Sequence, residues 1–537
     1  MTRPVSVSKL RQRLQERAEL ALLDAREQGV HYKGHPFFAV PLPLSQLELR
    51  AADLLPRRSV PIIVLDGGGD EGFAGKAAER LQALGYTDVA VLEGGCAAWQ
   101  AAGGELFGGV NVPSKAFGEF VEHHYGTPRI TPAELNELKA RRTLVILDSR
   151  PFEEYHRMNI PGGVDAPGAE LAWRVHDLAP DPDTLVVVNC AGRTRSIIGC
   201  QSLRNAGIPN EVVALKDGTM GWELAGFQVE RGATRVAPPP SEAGRAKARA
   251  AAERVAARFG VRFITLAQLE AFKRDEGRTL YVLDVRPLEE FEARRLAGSR
   301  HGPGGQLVQA TDEYVAVRGS RIVLVDPERV RSVMTASWLV QMGWEDVFVL
   351  EPEGADGFGA ARTESGPARP ALLDFRPWNV IAPEILSKEN KRGEPGTAVL
   401  DLATSLKYRA RHIPGAWWGV RSRLAEAKQK LAEQGEPKRL VLTSEDGILA
   451  HYAAPEAAAL WPGARVLVLE GGNAAWFAAG LPTEEGMQRP TTSLDDVAYK
   501  AYDHARDYEK HARAYLDWEV GLVEQIKRDP AIRFRAY

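Results

Sequence analysis

The sequence predicts an α/β protein made of four tandem copies of one small module, each a parallel β-sheet flanked by helices, followed by a C-terminal helical tail. Two spacings carry the prediction. In each copy an apolar run reaches an aspartate (Asp24, Asp148, Asp284, Asp401), and a second β-branched run ends 42, 42, 42 and 43 residues later, at Asp66, Cys190, Asp326 and Ser444. A glycine follows after a further 29, 28, 28 and 28 residues (Gly95, Gly218, Gly354, Gly472), with an aromatic four residues beyond it (Trp99, Trp222, Phe358, Trp476). Anchors that stay in step across four copies mark an internal repeat.

The individual elements follow from local pattern. Short continuous runs such as Val186-Val187-Val188-Asn189, bounded by turns and separated by helical periodicity, read as buried parallel strands of βαβ units. The copies occupy residues 1–112, 113–236, 261–366 and 367–487. Residues 237–260 form a linker, Pro238-Pro239-Pro240 and then an Ala/Arg-rich helix running from Arg245 to Phe259. Gly366-Pro367-Ala368-Arg369-Pro370 separates the third and fourth copies. Residues 488–537 carry Tyr499, Tyr502, Tyr508, Tyr515 and Trp518 among charges, as expected of an amphipathic helix packed on a neighbouring copy. The order of the copies suggests that the first pairs with the second and the third with the fourth.

Composition narrows the function. The 537 residues hold 68 Lys+Arg against 71 Asp+Glu, a formal net charge of -3, without the basic excess of a nucleic-acid binder. The N-terminus lacks the apolar stretch of a secretion signal, and no run approaches the roughly 18 apolar residues of a membrane span. Three cysteines cannot form a disulfide scaffold and suit a reducing, cytoplasmic setting. No Cys/His cluster has zinc-ligand spacing, with His123 and His124 placed in a loop and His156 after a strand, so no metal is expected. Gly67-Gly68-Gly69 lacks the Gly-Lys-Ser/Thr ending of a phosphate loop and reads as a degenerate form of the loop described next.

Of the four strand-end residues, only Cys190 is a strong nucleophile. It opens the loop Cys190-Ala191-Gly192-Arg193-Thr194-Arg195-Ser196, which runs into a helix. Open α/β sheets place ligands at this end of a strand. Loop amides and the helix N-terminus make an anion cradle that favours thiolate, and Arg193 and Arg195 add two cations. Cys96 and Cys200 have no such setting and read as packing residues. Trp222 recurs in copies without the thiol, so it reads as structural.

This loop resembles the active-site loop of rhodanese-type sulfurtransferases. Asp148-Ser149-Arg150 with Glu153, Glu154 and Tyr155, then Ile160-Pro161-Gly162-Gly163, is similar to their upstream signature. Lys216-Asp217-Gly218-Thr219-Met220-Gly221-Trp222 is similar to their C-terminal Gly-Gly-x-x-x-Trp, with Asp217 replacing the first glycine. The resemblance covers most of residues 118–232 and extends more weakly over the other copies, implying four rhodanese-like domains. It implies that Cys190 takes sulfane sulfur from a small anionic donor such as thiosulfate, carries it as a persulfide, and passes it to cyanide or a thiol without a resident cofactor. Ala191, Gly192, Arg193, Thr194, Arg195 and Ser196 would bind the donor: their amides around the persulfide, the two arginines on the sulfonate, the Ser196 hydroxyl on sulfur. Asp148 and Arg150 would support the loop without touching substrate. Asp66, Asp326 and Ser444 depart from the family and imply inactive copies; the third keeps Arg331, and the fourth loop (Glu445, Asp446, Gly447) is acidic. Two other readings stay open. One is a cysteine phosphatase, although the loop is Cys-x4-Arg, a residue shorter than the phosphatase Cys-x5-Arg. The other is a non-enzymatic scaffold or sulfur-relay protein that receives persulfide from a partner protein.

Overall fold

The computed structural model describes residues 2–69, 71–354, 357–392, 396–504 and 506–537. It contains four α/β modules. In the second, the strands run in the order Arg129–Ile130, Val212–Leu215, Leu185–Asn189, Leu144–Asp148 and Val164–Asp165, all parallel. The third and fourth sheets repeat this order around the central strands Arg321–Val325 and Arg439–Thr443. Central strands such as Leu185–Asn189 are buried along their whole length, which is why they read as unbroken apolar runs. Among the described residues no helix is long and apolar enough to cross a membrane.

The tryptophan after the glycine turn does the same work in three modules. Trp99, Trp222 and Trp476 each donate the indole N–H to the carbonyl six residues on, at Glu105, Gln228 and Pro482, with N···O distances of 2.8, 2.9 and 2.8 Å. A buried indole needs such a partner, so the aromatic belongs to the fold of each module.

The modules do not pair in chain order. The second packs on the third: the linker helix Glu242–Phe259 lies against both Glu170–Leu178 and Val330–Gln341. Gly168 and Gly305 meet so closely that a Cβ on Gly305 would lie 2.9 Å from the Gly168 Cα. Trp338 donates to Ser202 at 2.8 Å across this seam. The first module packs on the third and the fourth. Val317–Arg318 adds an antiparallel segment to the first module's strand Leu20–Asp24, supplying partners for backbone groups at that edge. Arg421 of the fourth module bonds Glu48 of the first at 2.7 Å. The expected pairing of first with second and third with fourth is therefore corrected. The Pro-rich segment works as a short spacer that lets the following helix wedge between modules two and three.

His123 and His124 also differ from expectation. They lie in the last turn of the helix Val112–Tyr125, which ends at Gly126 in the left-handed conformation (φ 56°). His156 sits in the helix Phe152–Arg157.

Candidate active site

The strand Leu185–Asn189 delivers Cys190 to the carboxyl edge of the second sheet, and the helix Thr194–Ala206 leaves from the same loop. The turn before Trp222 pins the loop from the side. Thr219 donates to the Cys190 carbonyl through its amide (2.8 Å) and its hydroxyl (3.0 Å), and the Met220 amide donates to Ala191 O (3.0 Å). Gly218, at φ 55°, makes this approach possible: a Cβ there would stand 2.3 Å from Cys190 O. Asp217 is itself left-handed (φ 59°), a conformation aspartate tolerates better than most residues. That accounts for its standing in place of glycine.

The loop amides are the central feature. Among the described residues, nothing in the chain accepts a hydrogen bond from the N–H groups of residues 191–196. The corresponding loops of the sister modules are filled, by a carboxylate in two and by a hydroxyl in the fourth. In the first, both Asp66 carboxylate oxygens accept, from Gly68 and Ala74 N–H at 2.9 Å each. In the third, Asp326 accepts from the amides of Glu328 (3.2 Å), Arg331 (2.9 Å) and Ser332 (3.4 Å). In the fourth, the Ser444 hydroxyl takes the Ala450 amide at 3.3 Å. The aspartates act as built-in anions in a cradle that the second module leaves open beside a thiol.

The Cys190 thiol points to the Ser196 hydroxyl at 3.5 Å, and that hydroxyl donates to Arg193 O at 2.8 Å. Both loop arginines are engaged with carboxylates. Arg193 is held by Glu119 (2.7 Å), Glu122 (2.5 Å) and Asp217 (3.2 Å). Arg195 bonds Glu154 at 2.7 Å and Gln306 of the third module at 3.3 Å. Burial would raise the Glu154 carboxyl, but the Arg195 charge holds it well below the usual range. The guanidinium groups thus brace the loop through ion pairs, and its open anion-binding capacity lies in the amides.

Asp148 and Arg150 form a buried clamp behind the loop. Arg150 bonds Asp148 at 2.8 and 2.6 Å and Met158 O at 2.6 Å, while Asn189 donates to Asp148 at 3.2 Å. The clamp recurs as Asp24–Arg26 and Asp284–Arg286 in modules that lack the thiol. All three cysteines are free. Burial pushes the Cys96 and Cys200 thiols up to about 12, and Cys200 points to backbone carbonyls of Val212 (3.6 Å) and Pro128 (3.8 Å).

The tail helix Tyr508–Ile526 covers the loop. Ala512 and Leu516 pack with Ala191 and Met220, and a Cβ on Gly192 would lie 3.2 Å from both the Tyr515 ring and Glu519 Oε2. The Glu519 carboxylate accepts from Thr194 Oγ1 (3.1 Å), Tyr515 OH (2.8 Å) and Lys115 Nζ (3.0 Å), while its Oε2 is buried without a partner among the described residues. Cys190 is 2% exposed in consequence. Sequence reasoning located the loop but missed Lys115, Glu119, Glu122 and Glu519. Their contacts are long-range, and the available signal was limited to acidic residues spaced three apart on one helix and an aromatic-rich tail.

The rhodanese-like domain model matches the chain four times, at residues 6–102, 131–225, 265–355 and 383–479. The chain belongs to the rhodanese-like domain family. Its fold matches the crystal structure of a thiosulfate sulfurtransferase from Pseudomonas aeruginosa with a TM-score of 0.93 and 49% identity, covering 99% of each chain. An HTH-type transcriptional regulator of Mycobacterium tuberculosis is 37% identical over 110 residues, 20% of this chain; the chain spans about half of that curated relative, 48% of its length. The rhodanese-like protein is thus built on a sulfurtransferase fold.

Proposed function

We propose that the protein moves sulfane sulfur from a small anionic donor such as thiosulfate to cyanide or a thiol, using Cys190 and no resident cofactor, in a reducing, cytoplasmic setting. The Cys190 thiolate attacks the outer sulfur of thiosulfate; the S–S bond breaks and sulfite leaves with the electron pair. The cysteine persulfide then gives its outer sulfur to the acceptor, returning the thiolate. Amides of Ala191, Gly192, Arg193, Thr194, Arg195 and Ser196 hold the negative charge at each stage. The Ser196 hydroxyl can turn its proton toward sulfur once the thiol is ionised.

One observation supports this reading above the rest. The amide cradle is open where the residue is Cys190 and filled by a carboxylate where it is Asp66 or Asp326. A thiosulfate:cyanide assay tests it, with mass spectrometry of the Cys190 peptide after thiosulfate alone. One added sulfur on that peptide, and loss of turnover in Cys190→Ser, are the expected results. No adduct with any sulfane donor would remove the proposal. The relay reading is favoured by the covered thiol and the neutralised arginines; there, thiosulfate leaves Cys190 unmodified and a protein persulfide loads it.

A further inference from the structure

A cavity of about 170 Å³ lies away from the Cys190 loop, between the first module, the third module and the end of the tail. Its walls include Phe37, Phe38, Met342, Trp344, Ile532 and Phe534. A cavity of this size lined by apolar groups has room for a benzene-sized ring. The polar groups on its lining are mostly committed. Arg17 and Arg535 both bond Glu345, and Asp312 accepts from Asn111 at 3.1 Å.

Arg318 is different. Its guanidinium lies over the Phe38 ring, 3.6 Å from the centroid, and among the described residues makes one hydrogen bond, from Nη1 to Leu14 O at 3.2 Å near the C-terminal end of a helix. No carboxylate among the described residues forms an ion pair with it. Burial pulls its pKa down to about 10, with Asp529 offsetting part of the effect and Arg17 adding to it. Arginine has five N–H donors in a planar fork suited to a carboxylate, and one bond to a helix end leaves most of them unused. A half-buried cation that Asp529 balances only at a distance, with no direct ion pair among the described residues, is a costly arrangement in an aromatic pocket, and an anionic ligand would relieve it.

We propose that this cavity binds a small organic anion, a carboxylate on an aromatic or short aliphatic body, with the carboxylate on Arg318 and the body against Phe37, Phe38, Trp344 and Phe534. The site is separate from the sulfur chemistry and does not depend on it. Titration calorimetry of the full-length chain with phenylacetate, indole-3-acetate and hexanoate tests it. At least one carboxylate should saturate at one per chain, and the neutral phenylacetamide should bind about tenfold more weakly or worse. Binding should persist in Cys190→Asp, whose cradle is plugged, and should be lost in Arg318→Gln. Ile532→Trp fills the cavity without touching the Arg318–Leu14 bond, so it decides the matter if Arg318→Gln fails to fold. Saturation by none of the three carboxylates, equal binding of the amide, or binding that survives Ile532→Trp would overturn the proposal.

Discussion

Glu519 accepts a hydrogen bond from the Thr194 hydroxyl at 3.1 Å, joining the tail to the Cys190 loop across 325 residues of chain. The contact closes a helix over the thiol, with Leu516 as its apolar anchor. Removing a buried leucine side chain costs about 2–5 kcal/mol, and each 1.4 kcal/mol is worth about tenfold in an opening equilibrium. Leu516→Ala is therefore expected to raise the iodoacetamide alkylation rate of Cys190 at least about tenfold. Cys96 and Cys200, buried and held as thiols, serve as internal controls in the same digest. An unchanged Cys190 rate in both Leu516→Ala and Glu519→Gln would show that reagents reach the thiol without moving this helix.

The filled cradles of the first and third modules forecast what a carboxylate does in the second. Cys190→Asp should fold, place its oxygens on the loop amides as Asp66 and Asp326 do, and transfer no sulfur. Cys190→Ser should also be inactive but, bringing no carboxylate, leave most of the amides open, since the serine of the fourth module takes one amide, that of Ala450. Thermal unfolding separates the two: thiosulfate should raise the midpoint of the serine variant and leave that of the aspartate variant unmoved. A thiosulfate response in Cys190→Asp would place the anion site elsewhere.

Arg331 joins the second and third modules through Glu170 at 3.1 Å while pairing with Asp326 at 3.1 Å, and it is 1% exposed. Breaking a buried pair from one side strands the remaining charges and costs about 3–5 kcal/mol. Arg331→Ala should lower the urea midpoint of the full chain clearly, whereas removing the exposed pair partner Arg141 should leave it nearly unmoved, changing stability by less than about 1 kcal/mol. Equal midpoints for the two variants would mean that the seam does not rely on this ion pair.

The repeat, its strand runs and the strand-to-helix loop at Cys190 were legible in the sequence because they depend on local order: β-branched runs, a turn glycine, and one cysteine among two aspartates and a serine. The module pairing was not, since it is set by faces that leave no periodic trace, such as Gly168 against Gly305 or Arg421 reaching Glu48. Arg193 and Arg195 show the same limit within the site. Two arginines in an anion loop read as free cations, but Glu119, Glu122 and Glu154, brought in from other helices, engage both. The tail's aromatic residues were visible, yet only the fold shows that Tyr515 lies on Gly192.

Asp165 gives a prediction about pH. Asp165 is 3% exposed, one of its carboxylate oxygens has no partner among the described residues, and Asp148 sits opposite it in register on the next strand. Burial, reinforced by the Asp148 charge, pushes its pKa up from 3.8 to about 8. The folded protein thus keeps a proton that the unfolded chain releases, so stability falls as pH rises from near 4 toward 8. Asp165→Asn has no such proton to lose. Its midpoint in thermal or urea unfolding should match the parent near pH 4 and exceed it increasingly up to pH 8, corresponding to a difference in unfolding free energy on the order of a few kcal/mol. A constant offset across that range would mean that Asp165 is already ionised in the folded state, with its charge balanced by Arg150 or Arg174.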